Sequence, residues 1–415
     1  LKDMASSILY GTQGHQGVIM ITTKRGMPNK KRINLRYETG VDMIKRLPEY
    51  LPAADYMELH NEALRNDGMT DQFGETTIQN TRDGVDPMLY PDEGFYDGRF
   101  LNDYRSVNRF YSEFSGGNSK AQYYANLGYT TYGSFFHVGE AAKSRSSVIN
   151  IRGNTNYELN DWLSLSLDGL AIFDTENSVD HDFWSLSTTL KPNIYPFLIT
   201  TDRLQGNELL ETASIINGEY ILGGTSEYTT NIYGQMKNGG FRKQMDRTLQ
   251  FSSGLDVDLN RFIDGLTGKV YFSFDMNNSY LSTLVNDYAV YFVRKSNPIG
   301  SNSLQIDQIG LDDRASNPST GEVDFLRRTA LYATLDYKKQ FDAHKLDLTA
   351  LAYRQQVNVP NEFNPNRNLH FGLRANYMYD EKYVAEINAA MAGSSKLYGS
   401  NKWGFSPGLS LAWIL

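Results

Sequence analysis

The sequence predicts an all-β chain, a transmembrane antiparallel β-barrel preceded by the end of a small α+β domain. Three observations carry that reading. Segments of alternating apolar and polar residues recur about a dozen times, many longer than the ~5–6 residues usual for strands of globular proteins. The connections between them alternate, short then long, so that turns gather at one end of the sheet and elaborated loops at the other. No run of about 18 apolar residues exists to form a membrane helix, whereas a spanning strand needs only about 9–11 residues, half of them apolar.

Composition agrees. The 415 residues include no Cys, which excludes a disulfide framework and a Cys metal site. A net charge of −8 argues against a nucleic-acid partner. Aromatic usage is dominated by 28 Tyr and 21 Phe against 4 Trp, residues that suit strands and, for Tyr, a water–lipid boundary.

Taken in order, residues 1–10 suit a short helix, with Gly11 as a C′ residue able to take positive φ. Gly14 and Gly17 punctuate a tight loop, and the β-branched run Gly17–Thr23 reads as a strand closed by Lys24-Arg25-Gly26. The glycine spacing is no dinucleotide fingerprint, because helix here precedes strand. Residues 1–29 are therefore assigned to the small domain and 30–415 to the barrel.

Barrel strands are predicted over 33–42, 108–117, 121–132, 146–157, 162–174, 246–260, 268–279, 327–340, 345–356, 368–379, 383–392 and 403–415. In 246–260 one face carries Leu249, Phe251, Leu255, Val257 and Leu259, the other Thr248, Gln250, Ser252, Asp256 and Asp258. In 268–279, Val270, Phe272, Phe274 and Met276 oppose Lys269, Ser273, Asp275 and Asn277. A soluble antiparallel sheet also alternates, so strand length and aromatics near strand ends decide. Those aromatics are Tyr129, Tyr132, Tyr157, Trp162, Tyr337, Tyr377, Tyr379, Tyr383, Trp403 and Trp413. Turn chemistry fits the short connections, with Gly117-Asn118-Ser119, Leu159-Asn160-Asp161 and the Asp264-Gly265 hairpin signal. The long connections are 43–107, 133–145, 175–245, 280–326, 357–367 and 393–402, expected to be extracellular. Both ends of the chain interrupt a pattern, so the sequence is expected to be a piece of a longer protein.

The first 26 residues closely resemble the end of the plug domain of SusC/RagA-type TonB-dependent outer-membrane transporters. The matching pieces are Leu1-Lys2-Asp3, Leu9-Tyr10-Gly11, Gly17-Val18-Ile19 and Ile21-Thr22-Thr23-Lys24-Arg25-Gly26, with His15-Gln16 departing from the usual Ala-Asn. Similarity continues through Asp55–Ala63, Ser115-Gly116-Gly117-Asn118, Ser144-Arg145 and Gly393-Ser394-Ser395-Lys396 with Trp403-Gly404-Phe405-Ser406-Pro407. Ala390 and Ala392 stand where the family usually has Arg and Asp, so a local turn contact is expected to be absent. The resemblance implies a plugged barrel of about 22 strands, of which about 12 are here, and no enzymatic activity. It also implies import of an oligomeric nutrient, with glycan favoured over oligopeptide. The implied partners are a SusD-like surface lipoprotein lid, the lipid bilayer and a TonB complex acting through a segment not in this sequence.

No catalytic, metal or cofactor site is expected. The six His show no metal spacing, and neither a Gly-x-Ser-x-Gly elbow nor a P-loop occurs. Asp180-His181-Asp182 and Asp312-Asp313 read as solvated loop stretches. Ligand-contact candidates are the loop aromatics Trp184, Tyr195, Tyr228 and Tyr291, within a set that also includes Phe197, Tyr220, Tyr233, Phe241, Tyr288 and Phe292. Lumen-facing Asn150, Arg152, Asn154, Asp168, Asp256 and Asp275 line the pathway or contact the plug. Two other classes stay open here: a passive porin or adhesion barrel, which the plug element argues against, and a soluble all-β lectin or enzyme, which would stay soluble without detergent.

Overall fold

The computed structural model describes residues 19, 23–28, 31–96, 98–180, 182–204, 207–295, 304–313 and 317–414. The motif residues Leu1, Lys2, Asp3, Tyr10, Gly11 and Gly17, the helix over 1–10 and most of the strand over 17–23 lie outside them.

Twelve strands form one antiparallel sheet in simple chain order. They are β1 (Arg32–Met43), β2 (Tyr104–Gly117), β3 (Ala121–Tyr132), β4 (Arg145–Asn160), β5 (Leu163–Ser178), β8 (Gly240–Asp258), β9 (Leu266–Val285), β12 (Ser319–Phe341), β13 (His344–Asn358), β14 (Asn366–Tyr379), β15 (Tyr383–Ser394) and β16 (Trp403–Trp413). Each expected strand is present. Four short strands belong to the long loops: β6 (Leu198–Thr200) pairs with β7 (Tyr220–Leu222), and β10 (Val290–Lys295) with β11 (Leu304–Ile309). Helices α1 (Ala53–Asn66), α2 (Glu75–Arg82), α3 (Phe183–Thr189) and α4 (Ile232–Asn238) also lie in those loops. None of the described helices is long and apolar enough to cross a membrane.

The register separates two chemically different surfaces. Residues paired across neighbouring strands share a face. One row runs Leu165, Leu255, Val270, Ala333, Ala352, Phe371, Met391 and Phe405 across eight strands. On the opposite face the row Asp168, Ser252, Ser273, Ala330, Gln355, Asn368 and Ser394 is polar but for one Ala. Among the described residues no protein layer covers the apolar face. Leu373 is 61% exposed, Ile387 59% and Phe272 40%, values that in water would make a very large bare patch. An apolar exterior and a polar concave interior are the pattern of a transmembrane barrel.

Ring stacking continues around the short-turn end. Phe341 stacks on His344 with centroids 5.2 Å apart, Tyr379 follows at 5.0 Å, Tyr383 packs on Tyr379 at 6.4 Å and Trp413 on Tyr383 at 6.3 Å. Farther along, Trp162 lies under the Arg261 guanidinium at 4.8 Å. Aromatics at a membrane interface with a cation beside them suit headgroup level. Tyr132 is a correction to the expected girdle: it shares the interior row of Ser146 and Glu176 and lies under Arg105.

The outward face sets a prediction. In the full-length protein, Leu373→Arg is expected to lower stability by about 2–4 kcal/mol in lipid vesicles, as for a cation at the bilayer midplane, and the interior Thr334→Lys by far less. Urea unfolding followed by tryptophan fluorescence checks it; equal losses would contradict the assignment of faces.

Candidate functional site

Two regions bring functional groups together: the interior wall beside residues 23–28, and the loops above the sheet. Residues 23–28 lie against the polar interior of β2–β5. The Lys24 Nζ donates to Glu113 Oε1 at 2.9 Å, and its pKa is raised chiefly by that bond. Arg25 reaches Asp168 at 2.9 Å and donates to Asn156 Oδ1 at 3.1 Å. Asn154, nearly buried, donates through Nδ2 to the Lys24 carbonyl at 2.9 Å. Gly26 is buried so close to the β2–β3 hairpin that an added Cβ would fall 2.5 Å from the Tyr123 backbone N and O, which explains a glycine there. Of the expected lumenal residues, Asn154 and Asp168 thus bind this segment directly. Arg152 and Asp275 line a cavity of about 330 Å³ beside it. Asp256 pairs with Lys269 at 3.3 Å, and Asn150 shares the interior row of Gly128 and Ile172.

Above the sheet, loops 44–103, 133–144, 179–239 and 286–318 fold on one another. Phe95, Phe100, Val138, Phe183, Tyr195, Phe197, Ile232 and Met236, drawn from three of these connections, share one buried cluster. Ile199, Leu204 and Ile221 share another with Tyr291, Leu304 and Ile306 of the fourth. Asn231, fully buried, ties the chain around Phe197 and Gly223 to α4 and to Tyr288. Its Nδ2 donates to the Phe197 and Gly223 carbonyls at 2.8 Å each, and its Oδ1 accepts from Gly234 N at 3.0 Å, capping α4. The Tyr288 hydroxyl donates to its carbonyl at 2.9 Å from the neighbouring loop. Gly223 allows this approach, since a side chain there would collide with the Pro196 carbonyl.

The four candidate rings fare differently. Tyr195 is 2% exposed, its hydroxyl donating to the Thr230 carbonyl at 2.7 Å, and burial raises its pKa. Tyr291 is also 2% exposed, and burial pushes its phenol up to about 12. Both rings are core residues of the loop layer, with no face open to a ligand. Tyr228 is half-buried with the Lys191 ammonium 6.0 Å from its ring. Trp184 is 39% exposed. It ends a stack of three nearly parallel rings, Tyr50 on Tyr96 at 5.4 Å and Tyr96 on Trp184 at 6.0 Å. Its backbone N donates to Asp182 Oδ1, the cap of α3, so Asp182 has a structural task. His181 lies outside the described residues. Asp312 likewise is tied to the backbone, accepting from Ala289 N at 2.9 Å.

Trp184 borders a cavity of about 440 Å³ at the long-loop end of the barrel interior. Arg105, Arg145, Arg242 and Glu176 also line it, and sequence reasoning missed all four. Their signal was faint: charges at the loop-side ends of strands, just past the regular alternation. Among the described residues no cluster of His, Asp and Glu is placed to hold a metal ion.

No family model matches the chain. TonB-dependent receptor P3 of Formosa agariphila is 23% identical over 453 residues, covering 100% of this chain and 38% of that protein. TonB-dependent receptor P26 of the same organism is 26% identical over 166 residues, covering 39% of this chain and 15% of that protein. Among solved structures, the RagAB peptide transporter superposes with a TM-score of 0.62 at 15% identity, over 98% of this chain and 47% of that one. The closed-closed state of the RagAB peptide importer gives 0.59 at 16% identity, over 99% and 47%. The chain therefore spans less than half the length of the relatives it matches.

Burial of the loop tyrosines sets a pH prediction. Burial raises the folded pKa of Tyr195 and Tyr288 above the unfolded value near ~10, so folded loop packing is fully stabilised below that pH and loses stability as pH rises beyond it. A titration by tyrosinate absorbance should show these rings ionising late, together with loss of loop structure; ionisation with the exposed tyrosines would contradict it. Asn231→Ala, which removes three buried hydrogen bonds while the Phe197 carbonyl keeps the Gly223 N–H, should cost the loop layer about 1–3 kcal/mol, read as faster proteolysis within 196–224.

Proposed function

We propose, from the SusC/RagA-type TonB-dependent transporter fold that this chain carries, that the protein imports an oligomeric nutrient across an outer membrane at the expense of inner-membrane energy. The observation that carries the reading is the contact of Lys24, Arg25 and Gly26 with the inner wall, in a barrel whose long loops all rise at one end. In this reading residues 23–28 are the tail of a plug, anchored to β2–β5, and residues 30–415 supply barrel wall and extracellular loops. An open pore has no use for a segment held across its lumen, which is the reason to rank a passive porin or adhesion barrel second. The bare apolar face of the sheet argues against a soluble lectin or enzyme.

Substrate enters above the plug, in contact with Trp184 and the loop-side interior. The loop layer is stiffened by its own core and suits the seat of a SusD-like lipoprotein lid. A TonB complex pulls on a plug segment outside this sequence, and no bond in the substrate is made or broken. Glycan ranks above oligopeptide as substrate. Arg25 and Lys24 hold the plug's tail to the wall while the rest yields.

Uptake of a labelled nutrient by cells expressing the full-length protein tests the reading. Uptake should cease when the proton gradient is collapsed or TonB is deleted, and should persist in a passive pore. Lys24→Ala with Arg25→Ala should leave the barrel folded and raise leakage of small dyes, because the plug's attachment to β2 and β5 is lost.

A further inference from the structure

We propose that the outward face of β12–β14 binds a lipid whose head carries phosphate, with its acyl chains on the apolar rows and its phosphate held by Arg327, Arg354 and Arg367. The inference rests on the outer-membrane reading of the barrel, not on the identity of its substrate.

Register fixes the face. Arg327 pairs with Met276 and Asn358, Arg354 with Leu331 and Leu369, and Arg367 with Gln356. All three therefore share the side of Phe272, Ala352 and Phe371, and all three are exposed. Spacing fixes the depth. Each arginine lies ten residues from a ring at the short-turn end of its own strand, Tyr337, His344 or Tyr377. Ten residues of strand make about 33 Å, or about 25 Å of height at a tilt of roughly 40°, the height of a barrel's apolar band. The outward positions in between are Leu, Ala or Phe, but for Thr329. Rings and arginines thus mark opposite borders of the hydrocarbon, with the arginines on the side of the long loops.

The charge at that border is unbalanced. Among the described residues none of the three arginines forms an ion pair. Arg367 donates through Nε to Gln356 Oε1 at 3.2 Å, which uses one of the five N–H groups of a guanidinium. At the short-turn end the cations are matched instead, Lys339 with Asp264, Lys345 with Glu381 and Lys382 with Asp380. Among the described outward positions of the twelve strands the one acid is Glu322, which accepts from Asn278. The loop joining β13 to β14 adds Glu362, against three guanidiniums.

The three also stand close enough to share a ligand. Arg354 and Arg367 are diagonal neighbours across β13 and β14, about 7–8 Å apart at the backbone and within reach of long side chains. Gln356, the partner of Arg367, is diagonal to Arg327. Guanidinium matches phosphate in charge and in paired hydrogen bonds. A soluble phosphate would leave the rows below untouched, whereas a lipid covers both surfaces, its chains on Leu331, Leu369 and Phe371 and its head at the arginines. A cation facing lipid is tolerated at this border, where anionic head groups attract it, and not at the midplane.

Native mass spectrometry of the full-length protein in detergent tests this with phosphorylated lipid A, its dephosphorylated form and inorganic phosphate. The phosphorylated lipid should be retained at least about tenfold better than the dephosphorylated one, and that preference should vanish in Arg327→Gln/Arg354→Gln/Arg367→Gln. Lys345→Gln/Lys382→Gln, at the opposite rim, should keep it. Unchanged thermal melts certify the fold; if the triple variant melts early, the three single substitutions replace it, and each should lower the preference. Equal retention of the two lipids, a preference that survives loss of the arginines, or displacement of the lipid by equimolar inorganic phosphate would overturn the proposal. Energy-dependent uptake without a lipid preference would remove this inference and leave the transport reading standing. The preference without such uptake would do the reverse.

Discussion

Hydrocarbon offers no hydrogen bonds, and that single constraint organises the molecule. Each backbone N–H and C=O at membrane depth must find a partner in the protein, so the strands that cross must be paired along their length. The chain meets this by a meander in which each of the twelve strands of the large sheet pairs with those before and after it in that sheet. The ladder then forces alternate side chains outward and inward. Outward positions select Leu, Phe, Val and Ala; inward positions are free to carry Asp, Ser, Asn and Tyr, and these make the polar wall against which residues 23–28 rest. The aromatic stack from Phe341 to Trp413 marks where the constraint ends and water begins.

Beyond the membrane a different economy applies. The loops are long enough to bury apolar area of their own, and they do so between connections rather than within each one. Such a core needs its polar groups satisfied as strictly as any other. Asn231 does this with one side chain, holding carbonyls of two segments and the first turn of α4. The result is a packed loop layer in which Trp184 is held on the Tyr96 and Tyr50 rings.

The strands were legible because alternation is enforced wherever one face meets lipid. β3 runs over the residues expected. At the loop end β8 begins at Gly240 rather than 246, and β12 at Ser319 rather than 327. There the ladder continues above the membrane, where the outward positions Lys243 and Glu322 need not obey a lipid pattern. The loop residues were less legible. Tyr195 and Tyr291 look like ligand contacts in sequence because aromatics in loops often are, but which connections pack together is set by tertiary neighbours that no local pattern contains. Arg145 and Arg242 are separated by nearly a hundred positions in sequence, and only the β4–β5–β8 ladder brings them to one cavity.

The most direct test uses the absence of native cysteine. Single cysteines placed in turn along 369–377 of the full-length protein, spin-labelled in lipid vesicles, report access to oxygen from the bilayer and to a polar nickel chelate from water. The account predicts a period of two, with oxygen access peaking at Leu369, Phe371, Leu373, Ala375 and Tyr377 and falling at His370, Gly372, Arg374 and Asn376. A flat profile, or oxygen access peaking at the second set, would contradict it.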